Sequence, residues 1–182
     1  MRKLAVVFLV GVVALSAAVG VQAVVSHHTH QTGTLHLNGY NEAPNVLNSP
    51  AKGTFSATVD DQAQTISYKL TYSGFTTPVQ QAHIHFGNRF AASGVALFLC
   101  TNLGNGPAGT QACPTPAGTV TGTLHPADVV GPTAQGIPAG AAGWDAVLKA
   151  MRAGLTYANV HSQQFPGGEI RVQLVPNHGE DH

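Results

Sequence analysis

The 182-residue chain predicts an all-β fold: an antiparallel β-sandwich of Ig-like or superoxide-dismutase-like type, with one short helix near residues 144–153. Three observations carry that prediction. Apolar and polar residues alternate with period two through short runs rich in Thr, Val and Tyr. Gly, Pro and Asn punctuate those runs at the spacing of a sandwich or barrel. A single segment departs from period two, and it has helical spacing.

In order along the chain, TLHLN at 34–38 alternates Leu35 and Leu37 with Thr34, His36 and Asn38. GTFSATVD at 53–60 puts Phe55, Ala57 and Val59 on one face. TISYKLTYSG at 65–74 does the same with Ile66, Tyr68, Leu70 and Tyr72. AHIHFG at 82–87 sends Ala82, Ile84 and Phe86 one way and His83 and His85 the other. VALFLC at 95–100 is apolar on both faces, as a strand covered on both sides would be. TVTGTLH, LTYANVHS and GEIRVQLV complete about eight strands. Between the last of the Gly/Pro-rich linker and LTYANVHS, WDAVLKAMRAG places Trp144, Val147, Leu148 and Met151 at i, i+3, i+4 and i+7, an apolar helical stripe that Gly154 ends.

The opening MRKLAVVFLVGVVALSAAVGVQA has a basic start, an apolar run from Leu4 to Val19 and a small residue at Ala23, the pattern of a cleaved secretory signal over residues 1–23. Residues 24–32, which contain HHTH, read as a flexible tail, residues 33–176 as one domain, and residues 177–182 as a second tail. Removing the signal takes away two of the eight basic residues and none of the eight acidic ones, leaving −2 with His neutral. Such a charge gives no attraction to nucleic acid or, after cleavage, to a membrane. Cys100 and Cys113 close a Gly-rich loop and, in an exported protein, predict a disulfide. A secreted or periplasmic location follows.

The histidines raise the chemical question. Two imidazoles two strand rises apart stand roughly 7 Å from each other at Cβ, near enough to converge on one ion about 2.0–2.1 Å from each nitrogen. In LTYANVHS, Ala158 and Val160 face inward while Tyr157, Asn159 and His161 face outward. GEIRVQLV sends Ile170, Val172 and Leu174 inward and Glu169, Arg171 and Gln173 outward. If these strands are neighbours, His83, His85 and His161 make a metal site on a polar outer face. Plain alternatives exist for each residue: solvated histidines, a surface Glu169–Arg171 ion pair, and an Asn159 that fixes a turn. His36 and His125 are further candidate ligands.

Four motifs in order, GYNEAPNV, AHIHFG, AGLTYANVHS and PGGEIRVQL, resemble the CHRD domain, named for its occurrence in chordin. The resemblance spans roughly residues 33 to 175. Its matching residues are Glu42, Pro44, His83, His85, Asn159, His161, Gly168, Glu169 and Arg171, and Val172 stands where the family usually has Gly. Bacterial members are typically exported single-domain chains, so the resemblance implies an extracellular binding module. Three functions stay open. One is a secreted module that holds copper or zinc through His83, His85 and His161, with Asn159 or Glu169 orienting a ligand ring. A second is a protein-binding or adhesion module, its extracellular partner unknown, with structural histidines. The third is a copper redox enzyme of the superoxide dismutase type, for which the zinc-binding half is missing. No catalytic residue is assigned, and no Ser or free thiol is placed for hydrolysis.

Overall fold

The computed structural model describes residues 29–175. The expected signal segment 1–23, the first part of the expected N-terminal tail and residues 176–182, including the expected C-terminal tail, lie outside the described residues. Nine strands and one α-helix make up the domain: β1 (Thr29–Gln31), β2 (Leu35–Asn38), β3 (Lys52–Asp60), β4 (Thr65–Ser73), β5 (Val79–Phe86), β6 (Val95–Thr101), β7 (Gly118–Leu124), α1 (Trp144–Arg152), β8 (Thr156–Ser162) and β9 (Ile170–Leu174). Every pairing is antiparallel.

The strands form one sheet in the order β6-β5-β8-β9-β2-β3-β4-β7, with β1 paired to β3 off this path. The two ends of the path, β6 and β7, approach each other, and Tyr68 Oη of β4 donates to Leu99 O of β6 at 2.6 Å. The sheet is therefore nearly closed and barrel-like. Thr29–Gln31, placed by the sequence in a flexible tail, pairs in register with Thr58 to Asp60. The predicted helix is present, and Trp144, Val147, Leu148 and Met151 are all buried in the core cluster. Gly154 follows it at φ +67°, the left-handed turn that glycine adopts without strain.

Alternation places the core as expected. Phe55, Ile66, Leu70, Ile84, Ala158, Val160 and Ile170 are all fully buried and form one cluster. Val172 joins that cluster at 8% exposure. The Cys100–Cys113 disulfide is formed and ties the 101–112 loop to β6. Cross-linking a loop of this size contributes roughly 3 kcal/mol by restricting the unfolded chain.

Candidate metal centre

β8 pairs with β9 as a hairpin across the short connection at 163–169, and β5 lies on the other side of β8. Registers then fix a grid on the face opposite the apolar core. His83 sits across from Asn159, which sits across from Arg171; His85 sits across from Tyr157, which sits across from Gln173; Gln81 sits across from His161. The pairing of β5 with β6 shifts register twice, between Ala82 and His83 and between Ile84 and His85. Such bulges re-aim side chains, and Phe98 of β6 packs edge-on against the His83 ring at 4.4 Å.

The grid is not an outer surface. His83, His85, Asn159, His161, Glu169 and Arg171 are each less than 9% exposed, so the sequence expectation of a solvent-facing polar patch is corrected. Loops cover it. Residues 39–51 come over one side: Asn41 Nδ2 donates to Arg171 O at 3.1 Å, and Ser49 Oγ donates to Glu169 Oε1 at 2.6 Å. Residues 87–94 cover the other side, where Arg171 donates to the carbonyls of Asn88 at 2.6 Å and Ala91 at 3.1 Å. A buried strand face with polar side chains is tolerated because these partners replace water.

Glu169 and Arg171 consequently do not form the expected ion pair. Among the described residues Asp61 forms an ion pair with Arg152, and His30 Nε2 lies 3.8 Å from Asp61 Oδ2. Arg171 instead lies over the Tyr157 ring at 3.4 Å, and Tyr157 stacks on His85 with ring centroids 4.7 Å apart and planes within 2°. Asn159 does not fix a turn; its Nδ2 donates to Glu42 Oε2 at 3.2 Å. Gly168 has φ +129°, and a Cβ there would stand 2.6 Å from the Asn159 carboxamide. Glycine is required on both counts.

His83, His85 and His161 come together. One ring nitrogen from each lies within 4.8 Å of the others. Backbone carbonyls set the tautomers. A carbonyl can only accept, so the 2.8 Å contact of His85 Nδ1 with Ser93 O puts the ring proton on Nδ1 and leaves Nε2 as a bare lone pair. His161 is held likewise, Nδ1 donating to Pro166 O at 3.0 Å. Its Nε2 then accepts from His83 Nδ1 at 3.1 Å, and His83 Nε2 is left bare. The Nε2 atoms of His83 and His85 are buried without a hydrogen-bond partner.

Electrostatics keep the rings neutral. Burial, reinforced by neighbouring rings, pushes His83 down to about 2, and burial is the main cause that takes His85 and His161 down to about 4. Glu42 moves the opposite way. Burial raises it to about 7, against the pull of Asn159 and Arg171.

Sequence reasoning found the three ligand candidates but misassigned what holds them. Carbonyls of Ser93 and Pro166, not Asn159 or Glu169, orient the rings, and a backbone carbonyl carries no sequence signature. Tyr157, placed outward without a role, is the ring that stacks on His85. His36 and His125 are exposed and stand apart from the cluster.

A nearly closed antiparallel β domain with a buried three-imidazole cluster is thus a β module with a candidate metal centre. The chain belongs to the CHRD domain family, whose model matches residues 33–174. No curated protein and no solved structure matches it.

Proposed function

We propose that this CHRD domain is an exported binding module that coordinates one transition metal ion, copper or zinc, through His83, His85 and His161. The observation that carries this is the pair of bare, buried Nε2 atoms beside a third imidazole whose far nitrogen is already anchored. Leaving such acceptors dry and unpaired costs about 1–3 kcal/mol each, and a bound cation removes that cost. The donor set fits. Neutral imidazoles suit copper and zinc, and histidine ligands ordinarily donate their second nitrogen to a carbonyl or carboxylate, as His85 and His161 do. A metal would supply charge and a coordination centre; the chain would supply one nitrogen from each of three neutral rings that lie within 4.8 Å of one another. Binding would break the His83 Nδ1 to His161 Nε2 hydrogen bond and so free the His161 lone pair for the ion.

Residues 1–23 act in this proposal as the export signal, which agrees with the disulfide, since disulfides persist in oxidising compartments. Among the described residues no helix is long and apolar enough to cross a membrane. The mature protein is proposed to be secreted or periplasmic, with its ion as the principal partner.

The test is an equilibrium titration with copper and zinc on protein purified without an affinity tag. One ion per chain is expected, with loss of the tight site in both His83→Ala and His161→Ala. Weak binding that is unchanged in both variants would assign the uptake to the terminal histidines and refute the proposal.

A further inference from the structure

Arg171 does more than cover the histidine face. By donating to the carbonyls of Asn88 and Ala91 it brackets the two residues between them, Arg89 and Phe90. Asn88 Oδ1 accepts from the Phe90 amide at 2.9 Å and tightens the same turn. A buried guanidinium thus holds out a tip that carries a cation and an aromatic ring.

That tip borders a cleft of about 520 Å³, within the range of small-molecule sites. Six large hydrophobic side chains are exposed among the described residues, and four of them line this one cleft: Tyr40 at 66%, Val46 at 65%, Phe90 at 80% and Val175 at 45%. Single exposed apolar residues need no explanation, but their concentration in one concavity does. Arg89 lines the same cleft and takes part in no ion pair among the described residues. Glu42 also lines it, 7% exposed, with Oε1 buried and without a hydrogen-bond partner. An apolar lining and a cation that pairs with no carboxylate among the described residues call for a ligand with an apolar body and an anionic group.

We propose that this cleft binds a small amphiphilic carboxylate, its aromatic or branched aliphatic body against Tyr40, Val46 and Phe90 and its carboxylate at Arg89. The site is separate from the histidine cluster and does not depend on a metal being bound.

The probe is 8-anilinonaphthalene-1-sulfonate, an anionic aromatic fluorophore, titrated into the tag-free protein without added metal. One saturable site is expected, from which 3-phenylpropionate displaces the probe at least about tenfold better than its uncharged amide does. Arg89→Ala and Phe90→Ala each weaken probe binding by about fivefold or more. Both side chains are exposed, so circular dichroism and melting temperature should match the parent. Equal probe affinity in the parent and both variants, equal competition by acid and amide, or no saturable site at all would each overturn the proposal.

Discussion

The two faces of β5, β8 and β9 are buried to nearly the same degree and could hardly differ more in chemistry. One face presents Ala82, Ile84, Ala158, Val160 and Ile170, each fully buried. The other presents His83, His85, Tyr157, Asn159, His161 and Arg171, each less than 9% exposed. The apolar face is stabilised by removal from water, about 25 cal/mol per Å². The polar face gains little from burial itself and needs a specific partner for every nitrogen and oxygen. Partners are found at Arg171; they are missing at the Nε2 atoms of His83 and His85 and at one oxygen each of Asn159, Glu169 and Gln173.

Acid should break the comparison most severely. The histidines ordinarily titrate near 6.5 but are held to about 4 or below in the folded state. From 6.5 downward the unfolded chain therefore takes up protons that the fold refuses, and stability falls as pH drops toward 4. Holding one imidazole neutral over that interval corresponds to roughly 3 kcal/mol, and three together rival the 5–15 kcal/mol or so of an ordinary domain. Glu42 opposes this. Its carboxyl, ordinarily near 4.5, keeps its proton to about 7, so its own contribution diminishes stability as pH rises from 4.5 to 7. Metal-free protein should unfold between about pH 6.5 and 4 when followed by circular dichroism. Glu42→Gln should be the more stable at pH 7 and should lose stability more steeply on acidification.

The apolar face is sharpened by Ile84→Ala. Its side chain is fully buried, and truncation should cost about 2–5 kcal/mol in denaturant unfolding. The loss should be the same with and without metal. Its neighbour His83 differs in its response to metal: His83→Ala should also destabilise metal-free protein, through the cavity beside Phe98 and the lost bond to His161, but it should in addition abolish stabilisation by added metal.

Arg171→Met tests the cover over the polar face. Two charge-assisted hydrogen bonds to the 88–91 turn disappear, and each such bond contributes about 1.5–3 kcal/mol. Part of that returns because Asn88 is exposed to water, so a net loss of about 2 kcal/mol is expected in chemical denaturation. Tyr157→Phe should have the smallest effect. The ring still stacks on His85, and the hydroxyl's contacts with the Ser93 amide at 3.0 Å and the Ser93 carbonyl at 3.5 Å are lost, about 0.5–1.5 kcal/mol by thermal melting.

Much of this was legible in the sequence. Period-two alternation located β3 and β4 and sorted their side chains correctly, because one face of each meets the core. It also sorted β5, β8 and β9 into the right two chemistries. It failed on burial, since alternation reports that faces differ and not that one of them is wet. The cover comes from residues 39–51 and 87–94, which have no periodicity to read. The eight-strand path with its ends in contact was likewise beyond a sandwich inferred from strand number, because pairing order is set by long-range register. Signals for the cover did exist in the motifs. Glu42 and Gly168 both lie in the family motifs, and Asn159 links them: it donates to Glu42 and fills the space a Cβ at Gly168 would take.

The most direct test of the central claim, three imidazoles on one ion, is the X-ray absorption spectrum of protein loaded with one equivalent of copper or zinc. Three imidazole nitrogens at about 2.0–2.1 Å are predicted, with His83→Ala, His85→Ala and His161→Ala each removing that signature. A shell dominated by oxygen, or an imidazole count that survives all three substitutions, would contradict it.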